Sequence, residues 1–475
     1  MPVVSLTELK ARPTVRPRFL DSSPFFKCKW INGQRSSKRC RLHGAAKAKA
    51  RSSTSTHQEV GGTTEYLAWA KNAGINFTKV TQSYFDEGLR GCRAVEAIQS
   101  NEIFVSVPRA SALIVDPNAR CPCPDFVSKE YWKQAPWFIK MTVLLLHEAS
   151  KGRQSSVWGY IAQLPKSTDT PVRWSDEELD ELQYKPIKDK IIEQRKQWVG
   201  FFNDFKSASV GLAGQSVTWD QFLSAAENVR SRAFSGPYAG TPLAERLRLG
   251  ALVAVGGLGY AAWSHLPLTQ LLNGALAAAV FNLLYDVILS SKLKWYALCP
   301  IIDSINHSSR VDSKIEFEYF RDCIVASTGV GWSPGQQVFI SYGPQTNDSL
   351  FQYYGFVEGN NPHDTYSTFA VKDDGENIEL IITAKGIATD ESLASLSGKL
   401  GKNENEQVLY EALLSMLETE LGGKVTSLAD DQRLMGASHL ASQRVKAAIL
   451  FRLEKKKILL RAIERVKKKL SKLEQ

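Results

Sequence analysis

The 475 residues predict an α+β protein: a β domain split by a helical insertion and followed by a mainly helical C-terminal region. Three observations carry this reading. A strand-like run at Glu102-Ile103-Phe104-Val105-Ser106-Val107-Pro108 is followed by residues 131–232, whose apolar positions recur at helical spacing. Strand signals return only after Leu298, in Ile315-Glu316-Phe317-Glu318-Tyr319-Phe320 and Cys323-Ile324-Val325-Ala326-Ser327. The tail, residues 443–473, is helical again, with Val445, Ile449, Leu453, Leu460, Ile463, Val466, Leu470 and Leu473 on one stripe. A hydrophobic fraction of 43% and a charged fraction of 23% allow a sizeable core, and the length calls for two or three domains.

Each element can be justified in order. Residues 1–58 hold 13 Lys and Arg against Glu8 and Asp21, with Ser, Thr and Pro spread throughout and no long apolar run. That composition fits a plastid transit peptide, the alternative being a basic disordered arm. The remaining residues balance, 46 basic against 47 acidic, so the overall net charge of +10 gives no reason to expect direct nucleic-acid binding. Tyr66-Leu67-Ala68-Trp69-Ala70 reads as a short amphipathic helix, and Gly88-Leu89-Arg90-Gly91 as a glycine-flanked turn. Within the helical insertion, Trp137 to Leu146 suits a buried helix, and Ser175-Asp176-Glu177-Glu178 has the form of a capping box.

A second insertion, residues 236–298, is unusual. Leu249–Trp263 is nearly all apolar, and Leu271–Leu289 is apolar but carries Asn273, Asn282 and Asp286. The first stretch would rise about 22 Å as a helix, short of the roughly 30 Å hydrocarbon core. A helical hairpin is expected, either buried or tying the protein to a membrane through residues 249–289. In the tail, Lys455-Lys456-Lys457 and Lys467-Lys468-Lys469 fall mostly opposite the apolar stripe. They read as a solvated helix face rather than a docking surface for an acidic partner. Of seven cysteines, Cys28 and Cys40 lie in the N-terminal segment. Cys121 and Cys123 lack the neighbours to complete a tetrahedral metal set, so free thiols and no metal are expected.

Two short segments carry the chemistry: Asp303-Ser304-Ile305-Asn306-His307-Ser308, and Ile340-Ser341-Tyr342-Gly343 running on to Tyr353-Tyr354-Gly355-Phe356. This ordered pair resembles the C-terminal half of a SET-domain protein methyltransferase. With Ser156-Val157-Trp158-Gly159-Tyr160, Leu164-Pro165, Trp174 to Leu179 and Arg230-Ser231-Arg232-Ala233-Phe234, the pattern from Tyr66 to Leu473 resembles the Rubisco large-subunit methyltransferase branch. The resemblance implies a SET fold over residues 66–372 with insertions at 131–232 and 236–298, and a helical substrate-binding domain over 373–475. It implies S-adenosylmethionine (SAM) as methyl donor, with Gly88, Leu89, Arg90, Arg232, Asp303, Asn306 and His307 at the cofactor. Tyr354 would be catalytic. Tyr354, Tyr366 and either Phe317 or Tyr319 would line the lysine channel, with Arg232 also at the substrate and Tyr342 serving packing.

The expected function is therefore SAM-dependent N-methylation of a protein lysine in a plastid, by a monomer. The alternatives are a SET-fold scaffold with little turnover and a protein-histidine methyltransferase. Methyl transfer to an amine is an in-line displacement that needs a neutral nucleophile, a fixed sulfonium and a dry channel. Tyrosines suit such walls, excluding water with the ring and orienting groups with the hydroxyl.

Overall fold

The computed structural model describes residues 59–474 apart from 86–87, 117–119, most of 238–293, 319–320, 372–376, 401–404 and 438–441. The expected transit segment, 1–58, and most of the apolar hairpin therefore lie outside the described residues. Helix α1 (Glu59–Asn72) buries Tyr66 and Ala70. Strands β1 (Val80–Tyr84) and β2 (Arg90–Ala94) pair antiparallel across a turn in which Gly88 takes a φ of +77°, a conformation that glycine adopts without strain. Strands β3 (Ile103–Pro108) and β4 (Leu113–Val115) follow.

The helical insertion begins with α2 (Lys129–Gln134), α3 (Trp137–Ser150) and α4 (Trp158–Gln163). It continues through α5 (Asp176–Asp180), α6 (Lys185–Ala208), α7 (Gly211–Gln215) and α8 (Trp219–Arg232). The capping box read at Ser175 and Glu178 is formed, and Thr218 with Gln221 makes a second one that starts α8.

Strand structure returns earlier than the sequence led us to expect. β5 (Ala233–Pro237) leaves the end of α8 directly and pairs antiparallel with β6 (Lys294–Leu298), from Ala233 opposite Leu298 to Pro237 opposite Lys294. Ala-Phe-Ser-Gly-Pro has little strand preference of its own; the partner defines it. The apolar insertion is thus the loop of a β-hairpin, and its two ends meet in register. Tyr260 and Leu276, two of its described helical residues, are 56% and 64% exposed. Among the described residues no helix is long and apolar enough to cross a membrane.

The remaining strands are β7 (Asn306–His307), β8 (Ser313–Glu318), β9 (Cys323–Thr328) and β10 (Gln337–Ile340). They complete small sheets ordered β1-β2-β10-β7, β3-β9-β8 and β4-β6-β5. The β10–β7 pairing is parallel and sets Phe339 beside Asn306 and Ile340 beside His307. This register brings the two sequence segments together. Helix α9 (Asn347–Tyr354) starts at a Thr346 cap and stops because Gly355, at φ +76°, turns left-handed.

Beyond it lie the hairpin β11 (Thr365–Val371) and β12 (Asn377–Thr383), then α10 (Asp390–Leu400), α11 (Glu406–Gly422), α12 (Leu428–Gly436) and α13 (Gln443–Leu473). Both strands of this hairpin pack in a second core with Phe451, Leu459 and Ala462 of α13, so the β11–β12 unit straddles the expected boundary at 372/373. Trp174, Leu179, Tyr184 and Ile187 of the helical insertion share that core.

The lysine runs of α13 need a correction. Lys467 and Lys469 are solvated and pair with Glu418 and Glu406, but Lys455 and Lys456 are buried, 2% and 1% exposed. Lys456 Nζ reaches Asp431 at 2.6 Å, and Lys455 Nζ reaches Asp348 at 2.5 Å and Asp364 at 2.8 Å.

Candidate active site

The site is assembled around Asp303. Its chain arrives through a turn at Pro300-Ile301-Ile302, where the Ile302 N–H donates to Pro300 O at 2.8 Å and Ile301 takes φ +69° and ψ −53°. That is a γ-turn of the rare positive-φ hand, strained for a β-branched residue. Two contacts hold it: the Ile301 N–H donates to the Tyr66 hydroxyl at 2.8 Å, and the Ile301 side chain is 1% exposed. The Asp303 carboxylate is buried. The Tyr160 hydroxyl of α4 donates to its Oδ2 at 2.8 Å, and Arg232 Nη1 lies 3.5 Å from the same oxygen while donating to Asp303 O at 3.1 Å. Burial and the neighbouring Asp303 charge raise the Tyr160 hydroxyl well above the ordinary tyrosine value, so it stays a proton donor.

Asn306 Nδ2 donates to Arg90 O at 3.0 Å, and a Cβ built at Gly91 would stand 2.6 Å from that nitrogen. The glycine turn is therefore tied to the Asn-His segment, and Gly91 is required by the close approach. Arg90 Nη1 donates to Gln163 O at 2.9 Å, the Gly88 N–H to Phe85 O, and Leu89 O accepts from the Phe85 N–H. His307 is enclosed: its Nδ1 accepts the Tyr342 N–H at 2.9 Å, its ring stacks on Tyr342 at 5.0 Å, and Nε2 lies 3.4 Å from Glu358.

Tyr342 and Tyr354 stack at 5.1 Å, and the Tyr342 hydroxyl donates to Ile305 O at 2.8 Å. With Ser231, Arg232, Ala233, Phe234, Ser235 and Asp303 these two rings line a narrow cavity of about 20 Å³, space for roughly one water-sized or methyl-sized group. The Tyr354 hydroxyl makes no hydrogen bond among the described residues. Burial, partly offset by the Arg230 charge, pushes its pKa up to about 12.

The structure thus brings together Arg232, Asp303 and Tyr354 in one cavity wall, with Asn306, His307 and the Gly88–Arg90 turn locked behind it. Tyr342, read as packing, is a wall as well. Two expected channel residues are placed elsewhere. Tyr366 is fully buried in the second core, its hydroxyl donating to Glu420 at 2.5 Å and its ring 4.9 Å from Tyr184. It sits on β11 after the chain has left the first core, which its distance from Tyr354 in sequence does not reveal. Phe317 on β8 packs against the first core under Arg109 and does not line the cavity. Tyr319 lies outside the described residues. Tyr66, Tyr160 and Glu358 were missed; Tyr160 was at least signalled by Trp158-Gly159-Tyr160, since a Cβ at Gly159 would meet Trp69 at 2.3 Å.

The donor set fits SAM: a guanidinium and a carboxylate side by side for a methionyl group, and an apolar, aromatic throat for a methyl. No group of three or more metal-binding side chains comes together among the described residues.

Residues 337–459 match the family described as Rubisco LSMT substrate-binding. The fold aligns with a crystal structure of the SET domain of LSMT bound to lysine and AdoHcy at a TM-score of 0.60 and 18% identity, over 88% of this chain and 93% of that one. The chain has the fold of the LSMT SET domain. Among curated relatives of this LSMT-like chain, SET domain-containing protein 4 of Mus musculus is 25% identical over 69% of the chain and 66% of its own length. The chloroplastic ribulose-1,5 bisphosphate carboxylase/oxygenase large subunit N-methyltransferase of Pisum sativum is 25% identical over 64% of the chain. That match spans 53% of the pea enzyme, so the LSMT-like chain aligns with between half and two thirds of these relatives.

Proposed function

We propose that this chain transfers a methyl group from SAM to the side-chain nitrogen of a lysine in a protein. The observation that carries the reading is the Tyr354 hydroxyl, without a hydrogen bond among the described residues, in one methyl-sized cavity with Arg232 and Asp303. SAM bound there supplies an electrophilic methyl group. The chain supplies the rest. Tyr342 and Tyr354 exclude water, and a lysine ammonium entering the cavity they line is disfavoured by desolvation, so the neutral amine becomes the reacting form. The Tyr354 phenol, with its pKa at about 12, remains protonated near neutral pH and orients the amine instead of taking its proton.

Incubation of the full-length protein with labelled SAM and plastid extract, followed by mapping of the labelled residue, tests the reading. A labelled lysine is expected. Label on histidine would reassign the acceptor, and SAM binding with no labelled protein would make the chain a scaffold.

We also place the protein in plastids, with the apolar insertion either buried against protein or tying the chain to a membrane. The basic, acid-poor residues 1–58 and the chloroplastic pea relative support the compartment. The apolar composition of residues 249–289, flanked by Arg246, Arg248, Lys292 and Lys294, supports the attachment. The paired ends at Pro237 and Lys294 return the chain to the side from which it left. If the insertion ties the chain to a membrane, carbonate washing of plastid membranes should leave the full-length protein bound and release a variant lacking 249–289. Recovery outside plastids would remove the compartment, and release of the full-length protein would leave the buried insertion.

A further inference from the structure

Arg230 stands two residues before Arg232 at the end of α8, and its guanidinium lies 4.0 Å from the ring centre of Tyr353. Trp137 and Phe138 flank it at 5.6 Å and 5.5 Å. Unlike Arg232, which bonds to Asn228 and Asp303, Arg230 makes no ion pair and no hydrogen bond among the described residues. A guanidinium held over an aromatic face gains from the ring without using up its N–H donors. Three aromatic side chains thus hold the cation in place while its donors find no partner among the described residues. The place matters as much as the state. Tyr353 precedes Tyr354 on α9, and Ser231 and Arg232 of the same turn of α8 line the cavity. A partly buried cation beside a reaction channel, with no counter-charge among the described residues, is pre-organised for an anion that arrives with the substrate.

We infer that Arg230 reads the substrate sequence, binding the carboxylate of an Asp or Glu close to the acceptor lysine. The inference rests on the methyl-transfer reading above and narrows its substrate class to lysines with an acidic neighbour. The planar fork of a guanidinium suits a carboxylate better than any single donor would.

The test uses the full-length protein and the substrate protein identified by acceptor mapping. Arg230→Gln keeps cover over the Tyr353 ring and removes the charge; Arg230→Glu reverses it. Both should bind SAM within about twofold of the parent, which also reports that they fold. With the native substrate, Arg230→Glu should lower kcat/KM by about tenfold or more, mainly through KM, as expected for loss of one charge-assisted contact. Changing the neighbouring acid of the substrate to Lys should restore most of that loss with Arg230→Glu and impose it on the parent enzyme.

An acceptor lysine without Asp or Glu within about three residues would overturn the inference alone, as would equal losses on both substrates. Loss of SAM affinity in Arg230→Gln would overturn it too, because the guanidinium would then be holding the cofactor's own carboxylate. No labelled acceptor in any extract would defeat the methyl-transfer reading itself, and this inference with it.

Discussion

Tyr354→Phe should lower kcat by about two orders of magnitude while SAM affinity changes by less than about twofold. The ring stays in its stack with Tyr342, so the cavity keeps its shape. The lost hydroxyl has no partner among the described residues, so its removal strands no buried group and stability should not fall. What is lost is a fixed polar atom at the methyl-sized throat, where orientation of the amine decides the rate. Asn306→Ala supplies the contrast. It breaks the bond from Nδ2 to Arg90 O that ties the Asn-His segment to the glycine turn, and should weaken SAM binding by about tenfold. Calorimetry with SAM and single-turnover assays separate the two. A Tyr354→Phe enzyme as active as the parent would remove Tyr354 from the chemistry.

Lys455→Met should destabilise the fold by about 3–5 kcal/mol, read by denaturant unfolding. The ammonium is buried on α13 and meets Asp348, Asp364 and the carbonyl of Thr365 at 2.5–2.8 Å. Burial alone would lower the Lys455 pKa, but Asp348 and Asp364 outweigh it and hold the pKa above the ordinary lysine value. The sign follows: a raised lysine contributes stability that is fully present below about pH 10.4 and is lost as pH rises through the folded value. Removing the cation leaves Asp364 without an ion-pair partner among the described residues, and Asp348 with only the half-exposed Lys190 at 4.0 Å. The triple change Lys455→Met, Asp348→Asn, Asp364→Asn should recover much of the loss, because the whole charged cluster is replaced rather than broken. If Lys455→Met alone cost under about 1 kcal/mol, the cluster would not be structural. Since Asp348 belongs to the first turn of α9, the same contacts attach the C-terminal domain to the helix that presents Tyr354.

Residues whose positions follow from local sequence were the ones that could be placed in advance. Asn306-His307 and Tyr354-Gly355 sit in fixed local geometry, a short parallel bridge and a helix stopped by a left-handed glycine, so motif and position travel together. Arg232 closes a helix whose start, Thr218, was equally local. Tyr366 failed for the opposite reason: the strand that carries it belongs to a second core, and only three-dimensional packing says so. The lysines of α13 show the limit of periodicity. A single apolar stripe implied one buried face, yet α11, α12, β11 and the insertion helix α5 surround this helix, so charged side chains had to be buried and matched with Asp348, Asp364 and Asp431. The γ-turn at Ile301 has no sequence signal at all, since a β-branched residue is the last one expected at positive φ.

The in-register closure of β5 on β6 has a consequence for how this protein can change over time. Residues 238–293 begin and end on one rung of a ladder, packed at its base by Trp295 against Gly236. Closing a loop between two such fixed points costs entropy that grows only logarithmically, about 0.6 kcal/mol for each doubling of length. The strand pair therefore acts as a socket. Whatever is carried there can lengthen, shorten or drift in composition with little effect on Arg232, one residue before the pair, or on Asp303, five residues after it. What the insertion carries and the chemistry beside it can then be selected separately in a single chain.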